Sequence, residues 1–293
     1  MLGERAIADN GGMSNTLRGV LWMSGAVASF TAMAIAVREL QRHMGSFEIV
    51  FLRSVVMLAI VFAMLPRAGL ASIRTQRFKE HLSRNLIHFV GQVLWVYSIG
   101  MLALATVFAI EFTMPMWTAL LAWLFLKERF TAPRLVQLAL GFGGVLIILR
   151  PGGSAFHPAA LALILGSLCY ASSFIFTKRL SSTDSALAVL FWMSIVQTPI
   201  SLVAAIPHWV NPVAVDLPWI IAIGVGSFSA HYCMTQSMKL ADAMVVVPID
   251  FVRLPLIAVV GALFYAEPFD PLVMVGAAVI FAGTYYSISR ERP

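Results

Sequence analysis

Glu111-Phe112-Thr113-Met114-Pro115 and Asp250-Phe251-Val252-Arg253-Leu254-Pro255 are two renderings of one pattern, about 139 positions apart. Each begins with an acid–Phe pair and runs to a proline inside an apolar stretch. A glutamate follows just past the apolar run, Glu128 in the first copy and Glu267 in the second. A glycine, Gly144 or Gly283, stands sixteen positions after that glutamate. An internal repeat is the strongest architectural statement a single sequence can make, because it divides the chain into two equivalent units before any element is assigned.

Composition says what surrounds those units. The 293 residues are 60% hydrophobic and 12% charged, with a mean hydropathy of +0.87. Soluble domains carry about a quarter charged residues, so this chain needs lipid as solvent. The net charge of +6 does not indicate nucleic acid, because the basic residues lie between apolar runs and form no stripe. Cys169 and Cys233 both fall inside apolar runs and read as small packing residues, with no metal-ligand spacing near them. Residues 1–16 are polar and lack the pattern of a cleaved signal, so a disordered tail ahead of a retained first span is expected.

Crossing a bilayer takes about 17–25 apolar residues. Ten runs qualify: Val20–Val37, Phe47–Leu65, Leu86–Leu102, Thr106–Leu126, Ala132–Leu149, Ala159–Thr177, Ala186–Ile206, Leu217–Met238, Ala243–Tyr265 and Leu272–Ser289. The fifth opens with Pro133 and Arg134, which suit a first helical turn and a snorkelling side chain. Pro66–His81 is the longest connection and has room for a short interfacial helix. Fifteen Lys/Arg fall on one side of this scheme, Arg84 among them, and only Arg38, Arg42 and Arg150 on the other. The basic side should be cytoplasmic, with both termini on it. Arg53 and Arg253 remain, inside spans.

Five spans per half is an odd number, so the second half enters the membrane from the opposite side. The predicted fold is an all-α membrane protein of ten helices in a five-plus-five inverted repeat, residues 17–150 and 157–290. Such folds place their sites near the midplane between the repeats and work by alternating access.

The ten spans, the duplication, Arg53 in the second span and the repeated Pro-then-Glu pattern resemble the drug/metabolite transporter superfamily, and within it the bacterial EamA-type exporters. The spacing from proline to glutamate is thirteen in the first copy and twelve in the second, where Glu267 is itself followed by a proline. The resemblance implies efflux of small metabolites, a cavity lined by spans one to four and six to nine, and peripheral fifth and tenth spans. The aromatic-rich spans are similar to those of aromatic amino-acid exporters.

Several residues are candidates for the chemistry. His88, Gln92 and Trp95 share one helix face, where a polar, titratable and aromatic stripe is too costly to face lipid. They either line a cavity or pack against another helix with satisfied groups. Asp250 and Arg253, three apart, can pair, as structural partners or as groups that meet a zwitterion or a proton. Glu111 and Arg53 sit at matching depth on spans two and four, where a salt bridge between them is expected. Ser227, His231 and Thr235 share a face, as do Tyr170, Ser173 and Thr177. The hydroxyls read as helix glue, whereas His231 is a functional candidate. Trp117, just after Pro115, is a further cavity candidate. Pro115 and Pro255 should kink their helices and free a carbonyl. Glu128 and Glu267 should cap or bridge loops at opposite surfaces. Gly141, Gly143, Gly144, Gly276 and Gly283 should allow close contact in spans five and ten, for packing or dimerisation.

The chain lacks H-E-x-x-H, a Walker glycine loop, paired Asp-rich diphosphate motifs and G-x-S-x-G, and its short loops leave no room for an ATP-binding domain. An enzyme is therefore the least favoured reading and a passive channel or sensor the next. No cofactor and no metal is expected. The favoured reading is a secondary exporter of amino acids, aromatic or otherwise neutral, or of related small metabolites, in the bacterial inner membrane as a monomer or homodimer. Substrate would enter from the cytoplasm between the halves, stack on Trp95 and be held by His88, Gln92 or His231, while the bent fourth and ninth spans close one side and open the other.

Overall fold

A computed structural model describes residues 14–126, 131–150, 157–241 and 243–290. They form helices α1 (Asn15–Leu40), α2 (Ser46–Ala68), α3 (Phe78–Met101), α4 (Leu104–Glu111), α5 (Met114–Leu126), α6 (Ala132–Leu149), α7 (Pro158–Leu180), α8 (Ala186–Ala205), α9 (Leu217–Leu240), α10 (Ala243–Phe251), α11 (Arg253–Tyr265) and α12 (Pro271–Arg290). The fourth span is α4 with α5 and the ninth is α10 with α11, so twelve helices make ten crossings. Glu128, with Arg5, Lys127, Arg129 and Arg292, lies outside the described residues. The expected tail mostly does too, but its end is already helical: the Ser14 hydroxyl accepts the Leu17 N–H at 3.2 Å and caps α1.

The third span differs most from expectation, because α3 begins eight residues before Leu86. Among the described residues, nine segments are long and apolar enough to cross a membrane by themselves, and α3 is not one of them. Its first turns carry Lys79, Glu80, His81 and Arg84, and the protein provides partners for them. His81 Nε2 meets Asp184 at 2.7 Å and Arg84 Nε donates to Thr177 Oγ1 at 2.9 Å. Arg84 therefore lies buried inside the bundle and is not a loop charge of the basic face. The long connection holds a short 3-10 helix, Leu70–Ile73, as anticipated.

Packing follows the inverted repeat. The most extensive interfaces are α1 with α9, α3 with α7, α6 with α12 and α2 with α8. Exchanging the halves turns the first pair into the second and each of the last two into itself, which is what a two-fold axis in the membrane plane requires. Small residues let these helices approach. In α3 and α7, Gly91 lies against the Gly166 carbonyl, and Ser98 Oγ donates to the Ala159 carbonyl at 3.0 Å. In α1 and α9, Ser237 Oγ donates to the Gly19 carbonyl at 2.7 Å.

The peripheral pair α6–α12 uses the same device. A Cβ on Gly144 would stand 2.6 Å from the Gly276 carbonyl oxygen, and one on Gly276 would stand 2.7 Å from the Gly144 carbonyl. Gly143 has open space around it and takes no part, contrary to the expectation for it. Gly144→Leu is therefore expected to lower stability by about 3 kcal/mol or more through overpacking against backbone. Gly143→Ala should change it by less than about 0.5 kcal/mol. Thermal unfolding of both purified variants checks this, and equal effects would mean the interface is not as drawn.

The three arginines on the face opposite the basic one are all paired. Arg38 meets Glu267, Arg42 Nε meets Glu39 at 3.0 Å, and Arg150 meets Asp270 at 2.5 Å. Burial pushes the Asp270 pKa up, but the hydrogen bonds from Arg150 and the Leu272 N–H outweigh it and hold the carboxyl below its ordinary value. Glu267 also accepts the Leu104 N–H at 2.8 Å, so one carboxylate ties together the end of α1, the start of α4 and the end of α11. This matches its expected role at a surface.

Candidate functional site

The acid–Phe pairs of the repeat meet at the centre of the molecule. Phe112 and Phe251, equivalent residues of the two copies, stack with ring centroids 4.0 Å apart and planes 16° apart. Their neighbours Glu111 and Asp250 both address Arg253: Nη1 lies 3.4 Å from Glu111 Oε1 and Nη2 lies 3.3 Å from Asp250 Oδ2. The repeat equivalent of Arg253 is Met114, so the cation breaks the symmetry that the carboxylates keep. Its guanidinium lies over the rings of Phe30 (4.7 Å), Phe108 (4.9 Å) and Phe112 (5.1 Å). Cation–π contact of this kind strengthens when water is excluded.

The spans break here because helix hydrogen bonding stops between the half-helices. The Thr113 N–H bonds Ile110 in place of residue 109, and the Val252 N–H bonds Ile249. Pro115 and Pro255 lie in the first turns of α5 and α11, where a missing N–H has little cost. The expected mid-helix kinks are therefore helix starts, and each break sits a few residues ahead of its proline. A third proline, Pro248, lies inside α10 and removes a further intrahelical bond on that side only.

The stripe on α3 points inward. His88, Gln92 and Trp95 are 6%, 4% and 4% exposed, so in this state they are buried and line no open cavity. Trp95 Nε1 donates to Glu111 Oε2 at 2.7 Å and its ring meets Phe108 edge-on. His88 Nδ1 pairs with Gln197 Nε2 at 3.0 Å, and its ring lies 5.2 Å from Tyr170 and 6.2 Å from His231. Gln92 Oε1 is buried without a partner. His231 also faces Phe30.

The expected Arg53–Glu111 bridge does not form. Arg53 is held by Ser227 Oγ and, at 3.0 Å, by Gln197 Oε1, while Glu111 is taken by Trp95 and Arg253. Equal depth on two spans does not bring side chains together, since which helix faces which is a tertiary matter. Trp117 is also placed elsewhere: its indole donates to Thr113 Oγ1 at 3.2 Å and meets Phe142 of the peripheral α6. The Thr235 hydroxyl bonds its own helix at the His231 carbonyl, and the Thr177 hydroxyl bonds the Ser173 carbonyl while accepting from Arg84. Four contributors were not anticipated: Phe30, Phe108, Asn85 and Gln197. A polar Gln inside an apolar span was a legible signal, whereas the phenylalanines had none to distinguish them from lipid-facing rings.

The assembled site is aromatic, enclosed and bipolar, with acids and Arg253 around the broken spans and Arg53, Arg84 and two histidines toward the N-terminal end of the inward face of α3. Tyr170 lies beside His88 at the second pole. Among the described residues no group of three His, Cys, Asp or Glu could hold a metal ion.

A two-fold bundle of membrane-spanning helices with a midplane polar site between its halves defines a multi-pass membrane carrier of the inverted-repeat class. The EamA-like transporter family model matches residues 17–150 and again 157–289, and the chain belongs to that family. It is similar, at 26% identity over 97% of this chain and 96% of the other, to an S-adenosylmethionine uptake transporter of Rickettsia conorii. It is 28% identical to a riboflavin transporter of Brucella anthropi, over 92% and 98% of the two chains. It is 26% identical to the pseudopaline exporter CntI of Pseudomonas aeruginosa, over 89% and 93%. A crystal structure of a protein 17% identical superposes with a TM-score of 0.65 over 92% of this chain and 95% of that one, which bears on the fold alone. The protein is thus a transporter of small metabolites and not an enzyme.

Proposed function

We propose that the chain is a secondary carrier exporting neutral amino acids, aromatic ones among them, or related metabolites that join a flat ring to a charged end. It does so across the bacterial inner membrane by alternating access, with the basic face and both termini in the cytoplasm. One observation carries this reading: the buried site sets guanidiniums and carboxylates against stacked rings, which offers both ends of a zwitterion a partner and its ring a surface. The relatives support the solute class, since S-adenosylmethionine and riboflavin both carry fused flat rings and the former an amino-acid end. Their names include both uptake and export. A carrier of this kind runs either way, and the solute and ion gradients set its direction.

His88, Gln92, Trp95, Tyr170 and His231 remain the proposed substrate contacts on the α3 side, and Glu111, Asp250 and Arg253 those at the broken spans. Trp117 and Thr235 are not among them. The test is counterflow of labelled phenylalanine, threonine, methionine and S-adenosylmethionine in proteoliposomes, with and without a pH gradient. Saturable uptake accelerated by unlabelled solute on the far side is expected for at least one. Uptake of all four equal to that of empty vesicles would remove this solute class. Trp95→Ala should cut flux about tenfold or more, since it takes away both a stacking surface and the Glu111 hydrogen bond, together worth about 2 kcal/mol. It should leave the amount of folded protein unchanged, and normal counterflow in this variant would remove Trp95 from the site.

A further inference from the structure

Among the described residues, Arg53 and Arg84 have no carboxylate partner. Both are buried, at 2% and 5% exposure. Every hydrogen bond the two make goes to a neutral group. Arg53 reaches Ser227 and Gln197, while Arg84 reaches Thr177 at 2.9 Å and Asn85 Oδ1 at 2.7 Å. Gln197 links them by donating to the Asn85 carbonyl at 3.3 Å. Arg53 Nε is buried with no acceptor at all. Gln197, which holds Arg53, also meets His88 Nδ1 at 3.0 Å, and His88 in turn lies beside Tyr170 and His231; none of these three is an anion at neutral pH.

Two buried guanidiniums with only neutral acceptors contrast with every other arginine pairing described above. Arg38, Arg42, Arg150 and Arg253 each have a carboxylate. Buried charges are paired with one another or serve a ligand. Here none of the described residues supplies the compensating charge, and the uncommitted Nε of Arg53 marks where it belongs.

We propose that Arg53 and Arg84 form an anion subsite that takes the carboxylate of the transported solute, the cluster around Glu111, Asp250 and Arg253 taking the other end. The inference rests on the reading of the chain as a carrier of amino-acid-like metabolites, and it names what this pole of the site recognises. Guanidinium suits the assignment because its planar fork binds carboxylate in two-point fashion and stays charged at any physiological pH. The neighbouring histidines and Tyr170 add donors that a carboxylate can use.

The test is the thermal unfolding midpoint of the purified full-length chain in detergent, titrated at constant ionic strength with sodium phenylacetate, phenethylammonium chloride or sodium chloride. Phenylacetate should raise the midpoint saturably and sodium chloride should not, while any response to phenethylammonium, which lacks a carboxylate, should be the same in the parent chain and in the arginine variants. Arg53→Gln and Arg84→Gln should each abolish the response. Arg53→Lys and Arg84→Lys, which keep the charge and lose the fork, should retain it at about tenfold higher concentration, and they decide the matter if a glutamine variant does not fold. Arg67→Gln, on the exposed end of α2, should respond like the parent chain. A phenylacetate response no larger than that to chloride, or one that survives in both glutamine variants, overturns the proposal. A saturable chloride response lost in the glutamine variants also overturns it, in favour of an inorganic anion. Failure of the carrier reading looks different: arginine-dependent binding of phenylacetate would persist while no labelled amino acid exchanges across the proteoliposome membrane.

Discussion

Replacing Arg253 with methionine is expected to destabilise the protein by about 3–5 kcal/mol, the usual consequence of leaving buried charge without its partner. Glu111 and Asp250 would then face each other at mid-membrane, with side chains 16% and 19% exposed and no cation between them. The three rings around the guanidinium would lose their cation as well. Counterflow should fall about a hundredfold or more, which corresponds to roughly 3 kcal/mol of lost solute interaction. Two effects are mixed in that variant, and a second separates them. The triple substitution Glu111→Gln, Asp250→Asn, Arg253→Met removes all three charges together. Buried ion clusters replaced as a unit are often neutral or stabilising, so most of the stability should return. Transport should not. Recovery of both would make the cluster a packing element with no part in solute handling, and recovery of neither would show that its shape, not its charge, is what the fold requires.

Glu267→Ala should act on conformation more than on stability. The carboxylate joins Arg38 on α1, the Leu104 N–H at the start of α4 and the end of α11, and α4 packs on α11 between the halves on this face. Losing a charge-assisted pair and a backbone hydrogen bond is worth about 2–3 kcal/mol. That is roughly a 30- to 160-fold shift between states in which this face is shut and open. A cysteine at Val107, which is fully buried in α4, reports the shift in a background where Cys169 and Cys233 are serine. Its labelling by an impermeant maleimide from the face opposite the basic one should accelerate by about that factor. Unchanged labelling with unchanged counterflow would mean that this carboxylate fastens helices that never part.

Much of this was readable one residue at a time. Pairing of Asp250 with Arg253 follows from three-residue spacing on a helix, and Gly141, Gly144, Gly276 and Gly283 were recognisable as contact residues by size. Other features were hidden for definite reasons. Arg84 was read as a loop charge because the apolar run begins at Leu86, and only Thr177 of α7, together with the adjacent Asn85, makes its burial tolerable. Trp117 was read as facing the centre because its direction depends on the break before Met114, which turns α5 relative to α4. Arg53 and Glu111 share a depth and nothing else.

The chain's own order of residues determined that it lies in lipid, crosses ten times, consists of two oppositely inserted halves and carries its acid–Phe pairs at their equivalent centres. Those are consequences of hydropathy, length and repetition, which are local properties or sums of them. Tertiary structure alone decided which charges meet. Glu111 reaches Arg253 and not Arg53, Phe112 stacks on its own counterpart Phe251, and two arginines lie buried without a carboxylate. A midplane partner is chosen by helix rotation and by the offset between packed helices, and a few ångströms of either separates an ion pair from a bare charge.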